Sequence, residues 1–189
     1  TLLSLLAQRA ALHNAAAVER ASELHLPEQV RRWAVQWSVN DEGGATFAQQ
    51  IRAALESSPS VMLLDEVRAD EPNVLEPLLT MADAPRLLWT FRGTTQSKRL
   101  AASLGILARS GDAGGGDARV RALYTRSPFV LAVKRRGGRL ELQAVAEWQF
   151  NADSDYPTLV ELMAMDADDI TLSGKHPQHT LDLPDGFWG

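Results

Sequence analysis

The sequence predicts an α/β protein with a mostly parallel sheet, followed by a β-hairpin and an irregular tail. Short apolar segments alternate with amphipathic ones over residues 1–109, which is typical of a succession of strands and helices. Further along, a Gly-Gly pair separates two strand-like segments, which favours a hairpin. A Gly-rich stretch at 110–118 lies between these parts. We therefore expect one domain over 1–109, a linker over 110–118, and a C-terminal hairpin and tail over 119–189.

The elements of the first domain follow from the spacing of its apolar residues. Helices are predicted where apolar residues recur every three or four positions, at 1–12, 46–56, 72–82 and 94–109. Strands are predicted where apolar residues run together or alternate, at 15–19, 31–39, 61–66 and 86–91. Thr46 is suited to cap the second helix, and Pro72 suits the first turn of the third.

The segments around the Gly-Gly pair predict a hairpin with a basic tip. Residues 129–134 and 139–147 form its strands, with Gly137 and Gly138 at the turn. Several cations crowd the expected tip: Lys134, Arg135, Arg136 and Arg139. They form either an ordinary solvated turn or a site for an acidic partner or a neighbouring subunit. The acidic chain from Asn151 onwards is expected to be loop-rich, with one helix over 157–165.

Composition excludes several classes of function. The 189 residues contain no cysteine, so a disulfide scaffold, a thiolate nucleophile and a Cys-ligated metal centre are all excluded. Apolar runs are short and interrupted by charge, which argues against a transmembrane helix. Residues 1–6 lack the basic leader and cleavage site of a signal peptide, so we do not expect them to form one. With 19 basic and 24 acidic residues, the net charge of −5 argues against broad binding of nucleic acid. The histidines lack metal-ligand spacing, which argues against a histidine metal site. No serine lies in a Gly-x-Ser-x-Gly setting, so the sequence gives no support for a serine hydrolase.

The pair Asp65 and Glu66 carries the clearest chemical signal. It follows four consecutive apolar residues, a pattern that predicts a buried strand with acids at its carboxyl end. In nucleotide-hydrolysing α/β proteins such a strand delivers one carboxylate towards the Mg²⁺ shell and another towards the attacking water. The alternative is that the two acids merely begin a solvated loop.

Three ordered stretches give the sequence a resemblance to a known family. They are 18–27 (Val-Glu-Arg-Ala-Ser-Glu-Leu-His-Leu-Pro), 45–55 (Ala-Thr-Phe leading to Arg-Ala-Ala-Leu) and 59–68 (ending Asp-Glu-Val-Arg). The succession resembles the type II and type IV secretion traffic ATPases, which include the pilus assembly and retraction motors. In that family the stretches are an acidic box, a helix entered by Thr-Phe, and a Walker B strand ending Gly-Glu-x-Arg. The resemblance covers residues 1–109 and implies a three-layer RecA-like P-loop NTPase fold that uses ATP and Mg²⁺.

The resemblance assigns roles position by position. It implies that Glu19 and Glu23 belong to the acidic box near the nucleotide, with Glu19 on the metal and water side. Glu66 falls on the Walker B glutamate that polarises the attacking water, and Arg68 on the arginine beside it. Asp65 replaces the usual Gly, as in many other RecA-like ATPases, where this residue holds a Mg²⁺-bound water.

Three further positions depart from the family pattern. Arg20 replaces the Asp that follows the box glutamate, and a cation there would compete with the metal. In the stretch that aligns with the family's histidine box, Trp89 and Arg92 replace the histidines. Arg92 is then a candidate for contact with the γ-phosphate, and Gln96 or Thr94 for orienting water, whereas the alternative is an ordinary solvated helix entry.

A P-loop of the form Gly-x-x-x-x-Gly-Lys-Ser/Thr does not occur in the sequence. The family's P-loop is followed by a helix of the form Thr-Leu-Leu-x-x-Leu, and this chain opens with Thr1 and a similar leucine pattern. We therefore expect the P-loop to lie just upstream. Thr1 is then either the hydroxyl residue that binds Mg²⁺ or its neighbour.

These observations lead to a first hypothesis and two alternatives. The first is an ATP-hydrolysing motor subunit of a bacterial secretion or type IV pilus machine. Resemblance to the family implies a homohexamer at the cytoplasmic face of the inner membrane, in contact with platform or secretion proteins. The second is a catalytically degenerate relative that binds nucleotide or partners as a structural component. A RecA-like DNA motor is the third, and the acidic charge weakens it.

Overall fold

A computed structural model describes residues 3, 4, 7, 12–36, 44–93, 96–108, 116–150, 157–166 and 169–179. Leu3, Ser4 and Ala7 are helical, as predicted, whereas the remainder of the predicted helix over 1–11 lies outside the described residues. Thr1 and Thr94, the end of the predicted strand over 31–39 and most of the predicted linker also lie outside them. None of the helices in the described ranges is long and apolar enough to cross a membrane.

The chain divides into two compact units, residues 1–126 and 127–189. The described strands and helices of the first unit begin with two consecutive strands, then alternate, and end in two helices. They are β1 (Ala15–Glu19), β2 (Arg31–Ala34), α1 (Phe47–Leu55), β3 (Val61–Val67), α2 (Glu76–Thr80), β4 (Arg86–Phe91), α3 (Ser97–Ala108) and α4 (Gly116–Arg126).

The sheet of the first unit has the strand order β2-β1-β3-β4, and every pair in it is parallel. The central strands are buried on both faces: all of β1 and the first four residues of β3 are inaccessible to solvent. Burial on both faces explains why these strands are continuous apolar runs rather than alternating ones. The prediction of an α/β fold with a parallel sheet is confirmed.

Helix α1 begins as its sequence indicates. The Thr46 hydroxyl accepts a hydrogen bond from the Gln49 main-chain N–H at 3.2 Å, and the Gln49 side chain accepts one from the Thr46 N–H at 2.7 Å. This reciprocal capping box satisfies two N–H groups that the helix itself leaves unpaired. Phe47 and Ile51 lie on the buried face, so the cap also fixes which side of the helix packs inwards.

Several predicted boundaries in the first unit are corrected. Strand β2 ends at Ala34, because Gln36 instead forms a bridge to Ala45. Helix α2 covers only Glu76–Thr80, since Asn73 has a left-handed φ of 62°, which is incompatible with a helix running from 72. The helix α4 was not predicted. Its first residues overlap the predicted linker, and its Arg126 donates hydrogen bonds to carbonyl oxygens at the end of α2.

The second unit is an antiparallel sheet in the order β5-β6-β7-β8. Its strands are β5 (Phe129–Arg136), β6 (Arg139–Gln149), β7 (Thr158–Asp166) and β8 (Asp169–Leu172). The predicted hairpin is confirmed: Gly137 and Gly138 have φ of 55° and 83°, the left-handed turn that a two-residue hairpin needs.

The predicted helix over 157–165 is wrong, and the tail expected to be loop-rich contains two strands, although residues 173–179 are irregular as predicted. The segment over 157–165 is rich in Leu, Met, Glu and Ala, which favour helices. In the structure it pairs with β6 and forms β7, and β8 extends the sheet further. Pairing with a neighbouring strand has therefore overridden local propensity.

Candidate functional site

The candidate site lies where β1, β3 and β4 end, which we call the carboxyl edge of the parallel sheet. Parallel strands bring their carboxyl ends to the same edge, and ligands of α/β proteins bind there. The structure brings Glu66 of β3 together with Arg68 and with Arg92, which follows β4. Two residues at the end of β1, Glu19 and Arg20, lie at the same edge.

Glu66 occupies a β-bulge in the middle of this edge. Leu64 pairs with Trp89 and Val67 with Phe91, so β3 carries one more residue than β4 over this interval. Glu66 itself has a left-handed φ of 49°. Both features are unfavourable for a non-glycine residue in a strand, and they redirect its side chain. Such strain in a buried framework is typical of functional positions.

Both main-chain polar groups of Glu66 are bound by side chains. Its N–H donates to Thr90 Oγ1 at 2.8 Å, and its carbonyl oxygen accepts from Arg20 Nε at 2.8 Å. These bonds come from the strand on one side of β3 and from the end of the strand on the other. The bulge is therefore fixed from both sides rather than left as a loose loop end.

The Glu66 carboxylate faces two cations and retains access to solvent. Oε1 lies 3.6 Å from Arg68 Nε and 3.7 Å from Arg92 Nη2, and the side chain is 35% exposed. Both distances exceed a normal hydrogen bond, so the oxygen keeps capacity to accept a proton from water. Arg92 is 87% exposed, which places its guanidinium where an incoming anion would meet it.

Asp65 precedes the bulge in a more negative environment. Burial raises the pKa of its carboxyl, and Glu19 and Glu66 act in the same direction, whereas the hydrogen bond from the Arg20 main-chain N–H and the Arg20 charge oppose the rise. A bound cation would relieve this excess of negative charge. Among the described residues no three acidic or histidine side chains converge on one point. The described residues therefore supply carboxylates suited to contact a bound cation, without a cluster of three protein ligands among them.

Glu19 lies in a buried ion pair that sequence reasoning missed. The side chain is 1% exposed, and its two oxygens accept from Arg32 Nε at 2.7 Å and Nη2 at 2.9 Å. Oε2 also accepts from the Leu24 N–H at 3.2 Å. Hydrogen bonding to Glu19 raises the pKa of Arg32, which favours the charged guanidinium. The predicted place of Glu19 on the metal and water side remains a prediction, because in this structure its oxygens already have these partners.

Arg20 does not lie free beside the site, as a competitor for metal would. It is 7% exposed, and its Nη1 donates to Glu71 at 2.8 Å, while its Nη2 pairs with the other Glu71 oxygen. Its guanidinium lies over the Phe47 ring, 4.2 Å from the centroid. Glu71 therefore balances the charge of Arg20. No local signal in the sequence indicated this partner, which is 51 positions away.

The other predicted site residues lie near the edge without a described contact to Glu66. Glu23 is exposed in the segment between β1 and β2, and Gln96 is exposed just before α3. Trp89 packs edge to face on Phe91, with ring centroids 6.2 Å apart. Thr90 was not predicted, although it lies next to Trp89 on a strand that ends at the edge.

Comparisons with known proteins found similarity in structure but not in sequence. The sequence matches no protein-family profile, and no curated protein is similar in sequence. The fold is similar to that in a crystal structure of the VirB11 ATPase from the Brucella suis type IV secretion system in complex with sulphate, with a TM-score of 0.57 and 17% identity. The match covers 77% of this chain and 44% of that one, so the chain spans less than half its length. Similarity at this identity shows the fold.

Proposed function

We propose that the chain is part of an ATP-hydrolysing motor subunit of a bacterial secretion or type IV pilus machine, with a RecA-like motor fold. The observation that carries the proposal is the Glu66 bulge, which presents a solvent-accessible carboxylate between two arginines at the carboxyl edge. The structural similarity to a VirB11 ATPase supports the same class of function.

The proposed chemistry is in-line attack of water on the γ-phosphate. Glu66 accepts a hydrogen bond from the water and orients it, because its carboxylate is held in place yet accessible. Arg92 offsets the charge that develops on the transferred group, and Arg68 supports the Glu66 carboxylate. Bound Mg²⁺ supplies charge neutralisation at the phosphates. The P-loop hydroxyl residue, which is Thr1 or its neighbour, would bind it directly, with Asp65 or Glu19 in its outer shell, and Glu23 and Gln96 would lie near the nucleotide.

The assembly and location belong to the same proposal. We propose a homohexamer, peripheral to the cytoplasmic face of the inner membrane, that acts on platform or secretion proteins. The net charge of −5 supports a protein partner over nucleic acid.

A second candidate function is nucleotide or partner binding without hydrolysis, as a structural component of such a machine. The Glu19 pair favours it, because both oxygens of this acidic-box residue are engaged by Arg32. The replacement of histidines by Trp89 and Arg92 points the same way.

ATP turnover by the native protein that carries this chain separates the two functions. Glu66→Gln removes the charge of the carboxylate and keeps its size, and Glu56→Gln, an exposed position at the end of α1, is the matched control. Loss of turnover in Glu66→Gln alone, with ATP binding retained, is expected for the motor. Equal turnover in all three proteins would remove Glu66 from the reaction. Binding without turnover in the unmodified protein would establish the second function.

A further inference from the structure

Arg20 connects the ends of β1 and β3 through its own side chain. Its Nε donates to the Glu66 carbonyl oxygen at 2.8 Å, while its terminal nitrogens bind Glu71. Its main-chain N–H donates to the Asp65 carboxylate. A single residue therefore holds both acids of the carboxyl edge, one by its backbone and the other by its guanidinium.

Glu66 needs such a support because its backbone is strained. A left-handed conformation is unfavourable for a non-glycine residue, and it persists only where the surroundings impose it. Here the N–H is fixed by Thr90 and the carbonyl by Arg20. Without the hydrogen bond from Arg20, the peptide group after Glu66 would be able to rotate. The φ of Glu66 would then relax and turn its carboxylate away from Arg68 and Arg92.

Arg20 is itself rigid enough to serve as this support. Two parallel hydrogen bonds to Glu71 fix the plane of the guanidinium, and the Phe47 ring covers one face of that plane. The planar group has few alternative orientations once both contacts are made. Because Glu71 balances its charge, burial of Arg20 leaves no unpaired cation.

We propose that Arg20 is a positioning residue for Glu66, holding the bulge in the conformation that directs the Glu66 carboxylate between Arg68 and Arg92. The kinetic part of this proposal rests on the proposed ATPase function, whereas the structural part does not. Arg20 touches no reacting group. It acts through the Glu66 carbonyl, so its loss is expected to lower turnover only in a protein that retains the Glu66 carboxylate.

The test compares Arg20→Met with Arg31→Met in the native protein. Arg31 is a control for the contacts, although it is exposed and Arg20 is buried, because its guanidinium also donates to a side chain and a carbonyl, Asn14 Oδ1 at 2.5 Å and Ser57 O at 3.1 Å. It also lies over an aromatic ring, that of Trp33, but it belongs to the opposite end of the sheet. Arg20→Lys is the second variant, since it keeps the charge and cannot bind Glu71 and the Glu66 carbonyl in the same geometry.

Amide hydrogen exchange at Glu66 gives a readout that does not depend on activity. We expect exchange at Glu66 to be at least about 10-fold faster in Arg20→Met and in Arg20→Lys, and unchanged in Arg31→Met, because local opening of the bulge exposes the N–H that Thr90 holds. Unchanged exchange at Glu66 in both Arg20 variants would overturn the proposal.

Turnover gives the second readout. We expect kcat to fall about 10- to 100-fold in Arg20→Met with the KM for ATP within about 2-fold, since misplacing a catalytic group costs rate more than binding. In a Glu66→Gln background the same substitution should have no further effect. An equal loss in that background, or a loss that lies in KM alone, would show that Arg20 does not act through Glu66. If the unmodified protein hydrolyses no ATP, the proposed function fails, and hydrogen exchange still decides the role of Arg20.

Discussion

The strain at Glu66 can be measured by comparing two substitutions at that position, Glu66→Gly and Glu66→Ala. Both remove the carboxylate and its contacts with Arg68 and Arg92, so the loss of those partly exposed ion pairs cancels in the comparison. The two variants differ only in the Cβ atom. At a φ of 49° that atom is the source of the strain, and glycine lacks it.

The expected difference follows from two opposing terms. Relief of the left-handed strain favours Gly by about 1–2 kcal/mol. The greater freedom of Gly in the unfolded chain disfavours it by roughly 0.5–1 kcal/mol. The net expectation is that Glu66→Gly is more stable than Glu66→Ala by about 1 kcal/mol.

A control two residues further along should give the opposite sign. Arg68 is exposed and does not have a positive φ, so no strain is relieved there. Only the unfolded-state term remains, and Arg68→Gly should be less stable than Arg68→Ala by roughly 0.5–1 kcal/mol.

Urea unfolding, followed by circular dichroism, measures both differences. With an m-value of about 2 kcal/mol/M, the Gly variant at position 66 should unfold at a midpoint about 0.5 M above the Ala variant, with m unchanged. At position 68 the midpoints should be reversed. If Ala is the more stable variant at both positions, Glu66 carries no backbone strain, and the argument that the surroundings impose its conformation fails.

Three further predictions concern other charged groups. Arg92→Ala should lower kcat by roughly 100-fold and raise KM much less, as steady-state kinetics will show; the reverse pattern would make Arg92 a binding residue only. Arg32→Met should lower the free energy of unfolding by about 2 kcal/mol, because it leaves the buried Glu19 carboxylate unpaired, and adding Glu19→Gln should recover part of this loss in urea titrations. Burial alone would raise the pKa of Glu147, but hydrogen bonds from Gln149, Gln178 and His179 lower it below its ordinary value of 4.5. This carboxylate therefore stabilises the fold above that pH, and its contribution is lost as the pH falls through the lower folded-state pKa. The thermal unfolding temperature of the unmodified protein should therefore fall in acid, and that of Glu147→Gln should fall much less. Parallel pH profiles of the two proteins would refute the assignment.

The sequence was sufficient to predict the parts of the fold that depend on local patterns. Runs of apolar residues located β1, β3 and β4, and the Thr46 cap located α1, because burial on both faces and helix capping each leave a direct signature in adjacent residues. The carboxyl edge followed from those strands, since parallel pairing requires their ends to meet.

The parts that failed depend on contacts between distant residues. The pair of Arg20 and Glu71 joins positions 51 apart, and the pair of Glu19 and Arg32 joins the buried end of β1 to the edge strand β2. No spacing in the sequence predicts either pair. Strand β7 failed for the same reason, because only its pairing with β6 distinguishes its Leu, Met and Ala residues from those of a helix.

The arginines around Glu19 and Glu66 show that hydrogen bonding, and not residue type or exposure alone, decides which cation is able to meet a ligand, since the Arg32 and Arg68 side chains are both 43% exposed. Arg20 directs its guanidinium nitrogens to Glu66 and Glu71, and Arg32 directs its own to Glu19 and to nearby carbonyl oxygens. A guanidinium that is already in such a network would have to break it to bind a phosphate. Arg68 and Arg92, by contrast, approach Glu66 only at distances beyond a normal hydrogen bond. An anion that arrives at this edge is therefore able to meet these two guanidinium groups without breaking such a network, next to the carboxylate whose backbone is held in a strained conformation. The function proposed for the chain depends on that arrangement, in which Arg20 and Arg32 hold the framework while Arg68 and Arg92 keep accessible guanidinium groups beside Glu66.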